Sequence, residues 1–203
     1  QALNFLLMPF VDDKEQPKCK LAAPDKKEIT VAIVTTFANL ETRPEMLPIE
    51  SELSDRLAAE MLKLAKDNKE KIKFVPTFKV RSLMNQDASG SLSRKEIGEK
   101  LKADYVLNLE IHAISLYEKG SANLLFRAKT EISITCIDVH KPRDEGVAFK
   151  EDIIREYPGA ARYAVDAGNS SVLYFRTQFL SVLSQEIARF FVAYPSDAMH
   201  KMD

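Results

Sequence analysis

Apolar and polar residues change period several times along this chain, and each change marks an element. ITVAIVTTF, from Ile29, is a continuous β-branched run of the length of a buried strand. A loop with Pro44 and Pro48 follows. From Ile49 the spacing becomes helical: Ile49, Leu53, Leu57, Met61 and Leu64 recur in steps of four and three. Glu50, Asp55, Arg56, Glu60 and Lys63 lie between them, so this is an amphipathic helix with one face on a core, ending near Asp67-Asn68. KIKFVP is the next strand and Pro76 stops it, while Phe78 to Met84 fits a short helix. Ser93 and Glu96 form a capping box, hydroxyl to the Glu96 amide and carboxylate back to the Ser93 amide, which opens a helix through Ile97 and Leu101.

The period then shortens to two. Tyr105, Leu107, Leu109, Ile111 and Ala113 alternate with Val106, Asn108, Glu110 and His112. A hairpin turn at Glu118-Lys119-Gly120-Ser121 sends the chain back, with Leu124, Phe126, Ala128, Ile132, Ile134 and Cys136 on one side. Arg127, Lys129, Glu131, Ser133 and Thr135 take the other, the pattern of an antiparallel sheet wet on one face. HKPRDEG makes a connection and VAFKEDIIREY a third strand. Ser170 to Tyr194 carries Val172, Phe175, Phe179, Val182, Leu183, Ile187, Phe190 and Phe191 at helical spacing, a long helix with a wide apolar stripe. The expected fold class is α+β, a mixed sheet of about five strands with helices packed on one face. Two of those strands alternate with helices, and a three-strand antiparallel meander follows.

Composition narrows the function. The 203 residues suffice to bury a core without metal or disulfides, and the fractions of 45% hydrophobic and 29% charged are those of a globular domain. A formal net charge of −1 supplies no global field for nucleic acid. None of the six glycines falls in a phosphate-loop pattern, the three histidines are scattered, and no GxSxG or SxxK nucleophile motif is present. The sequence therefore points to no cofactor, no metal and no catalytic residue. Asp104, Glu110, Glu131 and Asp138 sit on or beside strands and leave a paired-acid hydrolase open as an alternative. Cys19 and Cys136 read as two unpaired thiols, with a bond between them open in an oxidising compartment.

One connection stands out chemically. REYPGAARYAVDAGNSS, between the last strand and the last helix, holds Arg155, Tyr157, Arg162 and Tyr163 beside Pro158 and small residues. Arginine and tyrosine are enriched at protein-binding hot spots, so these four are the candidate protein-interaction residues. The competing reading is a structured crossover whose tyrosines pack on the domain edge.

Three local patterns carry a family resemblance. ITVAIVTTFANL resembles the opening strand of the TolB amino-terminal domain and of the curli-transport and penicillin-binding-protein-activator lipoproteins. IGEKLKADYVLNLEI resembles the helix that hands over to their Ala-Asp-Tyr-Val-Leu strand, and ISITCIDVHKPRDEGVAF their paired strands around Ile-Asp. The resemblance runs from Ile29 to Tyr194 and implies a bacterial envelope lipoprotein that works by binding other proteins, not by catalysis. It implies export to the periplasm, a lipid anchor upstream of Gln1, envelope proteins as partners, and the possibility of a homo-oligomer. The curli channel's extra barrel hairpins have no counterpart here.

On this reading QALNFLLMPF, which lacks an initiator methionine, is what remains after a signal is removed. Residues 1–28 are a membrane-proximal segment and tether, 29–194 one domain, and 195–203 a tail. Pro17, Pro24 and the charges of Asp12 to Lys27 read as a tether or a surface-hugging arm. A self-associating structural subunit remains the third alternative.

Overall fold

The computed structural model describes residues 14–22, 28–38, 46, 48–87, 90–142 and 146–196. The opening QALNFLLMPF, Pro24, Pro44 and most of the C-terminal tail lie outside these residues. In chain order the elements are β1 (Lys14–Glu15), β2 (Ile29–Phe37), α1 (Pro48–Asp67), β3 (Ile72–Phe74), α2 (Thr77–Gln86) and α3 (Arg94–Leu101). Then follow β4 (Tyr105–Tyr117), β5 (Leu125–Asp138), β6 (Val147–Tyr157), β7 (Val165–Asp166), α4 (Val172–Arg189) and β8 (Tyr194–Pro195). The main sheet has the order β3-β2-β4-β5-β6, with β7 added beside β5. β2 runs parallel to β3 and β4, and β4, β5 and β6 form the antiparallel meander. The α+β mixed sheet expected from the periods is present.

The main core lies between this sheet and α1 with α4. Leu53, Leu57 and Met61 of α1 and Phe179, Leu183 and Ile187 of α4 meet Leu107, Leu109, Ile132, Ile134 and Cys136 of β4 and β5. The two helices run in the same direction. Arg176 clasps Glu52 through Nε (3.1 Å) and Nη2 (2.6 Å) near their starts, and Asn68 donates to the Ala193 carbonyl (2.7 Å) at their ends. Pro48, expected in the loop, is instead the first residue of α1, where its missing N–H costs nothing.

Helices also cover the opposite face, where the periods placed none. Val80 of α2 and Ile97 of α3 pack with Ala32 and Val34 of β2 and Val106 of β4 in a second, smaller core. The cause is β2 itself, which is apolar at every central position and so must be covered on both sides. Farther along, the second face is open to solvent, with His112, Lys129 and Glu131 exposed.

Three features depart from the simple alternation. β4 carries a bulge between Ile111 and Ala113, which turns Ala113 outward and Leu116 inward. Buried Thr130 opposite it donates its hydroxyl to the Ala113 carbonyl (2.9 Å), so neither group is left unsatisfied. Leu124, placed on the apolar side by its period, sits in the turn before β5 and is exposed. α4 is shorter than its apolar stripe: it begins at Val172, which is exposed, and ends at Arg189, after which Phe190, Phe191 and Val192 remain buried in a tight turn.

The described part of the N-terminal segment is an arm on the surface of the domain. β1 pairs with β8, Cys19 N–H donates to the Phe190 carbonyl (2.8 Å), Leu21 is buried, and Tyr105 donates its hydroxyl to the Ala22 carbonyl. Of the two roles read from its composition, residues 14–22 take the surface-hugging one.

The predicted capping box at Ser93 and Glu96 is complete, and Lys102 closes α3 in the left-handed conformation (φ 54°). Inside α3, a Cβ on Gly98 would lie 2.6 Å from Val139 Cγ2 and 2.7 Å from Val106 Cγ2. Alanine there would gain about 1 kcal/mol of helix propensity. Displacing two β-branched neighbours costs roughly 1–3 kcal/mol. Gly98→Ala is expected to lower the urea midpoint, and an unchanged or raised midpoint would show that the smaller core yields without strain.

Candidate functional site

The four residues singled out from the sequence separate into two pairs. Arg155 and Tyr157 belong to β6 and point beneath α4 rather than into the connection. The Arg155 guanidinium lies 3.4 Å from the Glu186 carboxylate of α4, where burial pushes the carboxyl up against the opposing pull of Arg155 and Arg189. The Tyr157 ring packs at 5.7 Å from Phe175 and 6.4 Å from Phe179. Tyr157 is also half-buried and precedes a cis bond to Pro158. Arg162 and Tyr163 lie on the connection itself, and both are exposed.

What holds that connection in place is Arg127, read from the sequence only as an outward basic residue. Its side chain is 17% exposed, and Nε and Nη1 meet Glu118 (3.3 Å) and Glu156 (3.0 Å). Nη1 also donates to the carbonyls of Pro158 (3.2 Å) and Gly159 (3.3 Å), and Nη2 to that of Arg162 (2.9 Å). One planar guanidinium thus ties the β4–β5 turn, the end of β6 and the connection together. No local pattern announces it, because its partners come from three separate segments.

The rest of the connection is pinned to the sheet. β7 pairs Val165 with Phe126 and Asp166 with Leu125, and Ala167 N–H donates to the Leu124 carbonyl (2.9 Å). Asp166 accepts from Gly168 N–H (2.8 Å) and the Asn169 amide (3.2 Å), and Ser171 then caps α4 by accepting from Tyr174 N–H (3.1 Å). Behind these segments Phe126 stacks on Phe175 at 4.9 Å and touches Tyr117 at 5.1 Å.

On this frame the end of the domain carries large apolar side chains in water. Tyr163 is 97% exposed, Leu124 67%, Tyr174 61%, Leu173 57% and Val172 41%. They come from the turn before β5, the connection and the first turn of α4, three segments joined by the bonds just described. Rigid aromatic and aliphatic groups held this way are suited to burial against another protein. Of the five, only Tyr163 was among the residues chosen from the sequence; Leu124 and Val172 had been assigned to a core period, and Leu173 and Tyr174 lie off the apolar stripe of α4.

Elsewhere among the described residues the polar groups form smaller clusters. Asp104, buried at the start of β4, accepts from Thr30 N–H (2.8 Å) and is bonded to His140 Nε2 (2.7 Å), beside a solvent-open depression of ≈ 520 Å³ lined also by Lys95, Glu99 and Lys102. Asp138, at the end of β5, accepts from His140 N–H (3.0 Å), so two of the four acids meet one histidine, whereas Glu110 lies midway along β4 and Glu131 is exposed on β5. On the wet face His112 Nε2 lies 2.6 Å from Ser133 Oγ, which donates to Asp152 (2.5 Å). A hydroxyl has one proton, and with it given to Asp152 the histidine is the donor to Ser133, the reverse of a base activating a nucleophile. Among the described residues no group of three or more His, Cys, Asp or Glu side chains forms a metal cluster.

Arg127→Ala removes the common anchor and leaves the Glu118 and Glu156 carboxylates without it. The loss expected is about 1–3 kcal/mol of stability. It should come with faster hydrogen exchange at residues 158–167, while α1 exchanges as before. Arg127→Lys, which keeps the charge but not the planar fork, should show the same local exchange. Protection of 158–167 retained in both variants would place the anchor elsewhere.

No family model and no curated protein matches the sequence. Similar solved structures include dodecameric PelC from Paraburkholderia phytofirmans, at 15% identity over 87% of this chain and 97% of that one, TM-score 0.44. Lipoprotein GNA1162 from Neisseria meningitidis is 9% identical over 78% of this chain and 98% of that one, TM-score 0.42. The LpoB C-terminal domain from Salmonella enterica is 15% identical over 64% of this chain and 83% of that one, TM-score 0.32. Bacterial lipoproteins are thus among the structures this chain is similar to, and no described helix is long and apolar enough to cross a membrane.

Proposed function

We propose that this chain is the domain of a bacterial envelope lipoprotein, exported to the periplasm and lipid-anchored, that works without catalysis by binding another envelope protein. The observation that carries the binding role is the set of exposed apolar side chains Leu124, Tyr163, Leu173 and Tyr174 on a frame fixed by Arg127, β7 and the Ser171 cap. Exposure of this kind is costly unless a partner covers it. The envelope location rests on the resemblance of the opening strand, the Ala-Asp-Tyr-Val-Leu strand and the Ile-Asp strands. Within this reading Arg162 and Tyr163 are contact residues, and Arg155 and Tyr157 support the surface from behind through α4.

Self-association is a second reading, favoured by β6. It is the outer strand of the main sheet, and Val147 and Ile154 on it are exposed. Light scattering over a range of concentrations separates the two, since edge pairing predicts mass that rises with concentration.

Tyr163→Ala combined with Leu173→Ser removes the centre of the surface and leaves the core untouched. Photo-crosslinkers at positions 163 and 173 of the full-length protein in its host should each capture the same envelope protein, and one at exposed Leu62 on α1 should not. The double variant is expected to weaken recovery of that protein by about tenfold or more at unchanged thermal midpoint. Capture of nothing from either position, or full recovery with the double variant, would remove this surface from consideration. Metabolic labelling with a fatty-acid analogue checks the anchor separately.

A further inference from the structure

The arm and the central strand bring the chain's two cysteines together. Cys136 lies on β5 with no exposure, inside the main core, and pairs across the sheet with Phe149 of β6. Cys19 is half-buried and packs on that same core. Its place is fixed from both sides. Lys18 pairs with Glu151 of β6 (2.9 Å) and lies 4.7 Å over the Phe190 ring, while Cys19 N–H holds the Phe190 carbonyl (2.8 Å). Beyond it Lys20 reaches Glu70 (3.8 Å), Leu21 is buried, and Tyr105 bonds the Ala22 carbonyl. With the backbone held so, the Cys19 side chain is set against the core that contains Cys136, and each thiol shifts the proton affinity of the other.

We propose that Cys19 and Cys136 are a modification site: a disulfide donor converts them to an intramolecular disulfide that staples the N-terminal arm to β5. The order of events follows from their surroundings. The neighbouring Cys136 thiol pulls the Cys19 thiol down, which favours the Cys19 thiolate, while Cys19 and burial push Cys136 up and hold it protonated. Cys19 is also the one of the two that a donor can reach. Its thiolate attacks one sulfur of the donor, and one donor thiol leaves with the proton that Cys19 gave up. The Cys136 sulfur then attacks Cys19 in the mixed disulfide and releases the second donor thiol, which carries away the Cys136 proton. Two protein thiols are oxidised by two electrons, and the donor disulfide is reduced to two thiols.

The bond closes a long segment of chain containing β2, α1, β3, α2, α3, β4 and most of β5, and a loop of that length loses much unfolded-state freedom when closed. It also fixes the part of the chain that precedes β2. This chemistry needs only the geometry of the arm. Its occurrence in cells rests in addition on the export reading above.

The test is the purified 203-residue chain in a glutathione redox buffer, followed by alkylation and intact mass. The expected product has lost two hydrogens, yields a Cys19–Cys136 cross-linked peptide, and melts roughly 5–10 °C higher than the reduced protein. Dithiothreitol should abolish that shift. Hydrogen exchange at residues 14–22 should slow in the oxidised form. Cys19→Ser, a change in the half-buried arm that leaves the core intact, should show neither the mass loss nor the shift. Two free thiols after oxidation, or Cys19 recovered only as a glutathione adduct, would overturn the proposal. Acid-trapped thiols from the native host test the location alone: a bond formed in glutathione but absent there overturns the export reading and leaves the site standing.

Discussion

β2 cannot be left bare on either face. Val31, Ala32, Ile33 and Val34 are buried in sequence, two toward each side of the sheet. Each face therefore needs a covering layer, and each layer in turn fixes the connections around β2. α1 carries the chain to β3 over the main core, and α2 with α3 returns it to β4 over the smaller one. Both neighbours of β2 are parallel to it, and parallel neighbours need the crossover connections that these helices supply. The antiparallel meander then grows from β4 alone, and only its inner face is buried.

Where the parallel and antiparallel parts join, backbone and buried side chain act together. Asp104 donates its N–H to the Thr30 carbonyl (2.7 Å), accepts from Thr30 N–H through its carboxylate (2.8 Å), and accepts from Val139 N–H through its carbonyl (2.9 Å). β2, β4 and the end of β5 are thereby held at one residue. The left-handed Lys102 just before it turns the chain out of α3 in the space available. The buried Asp104 carboxylate is accounted for by this joint.

At the other end of the sheet the same economy serves a different purpose. Arg127, β7 and the Phe126–Phe175 stack hold the turn, the connection and the start of α4 as one body. That body has no apolar layer of its own beyond it among the described residues, so Tyr163, Leu173 and Tyr174 face water. Arg155 and Tyr157 are drawn the other way because β6 extends to Tyr157 and these two residues share the side of the strand that faces α4. Strand alternation, not loop chemistry, decided where those two side chains point.

The sequence by itself determined the elements whose information is local. The β-branched apolar run of β2, the four-and-three spacing of α1, the Ser93–Glu96 box and the alternation of β4 to β6 each depend on neighbours within a few positions. Those signals establish the element order and the α+β class. Tertiary structure alone decided the rest: the second helix-covered face, the bulge that reverses Ala113 and Leu116, the Arg127 anchor, and the meeting of Cys19 with Cys136. The candidate surface divides the same way. Tyr163 was legible as an aromatic in a polar connection, whereas Leu124 keeps the period of core positions and Leu173 and Tyr174 lie off the stripe of α4 with no local signal of a shared surface. Leu124 is exposed because β5 begins only after it, and a period records which face a residue takes but not whether a neighbour arrives to cover it.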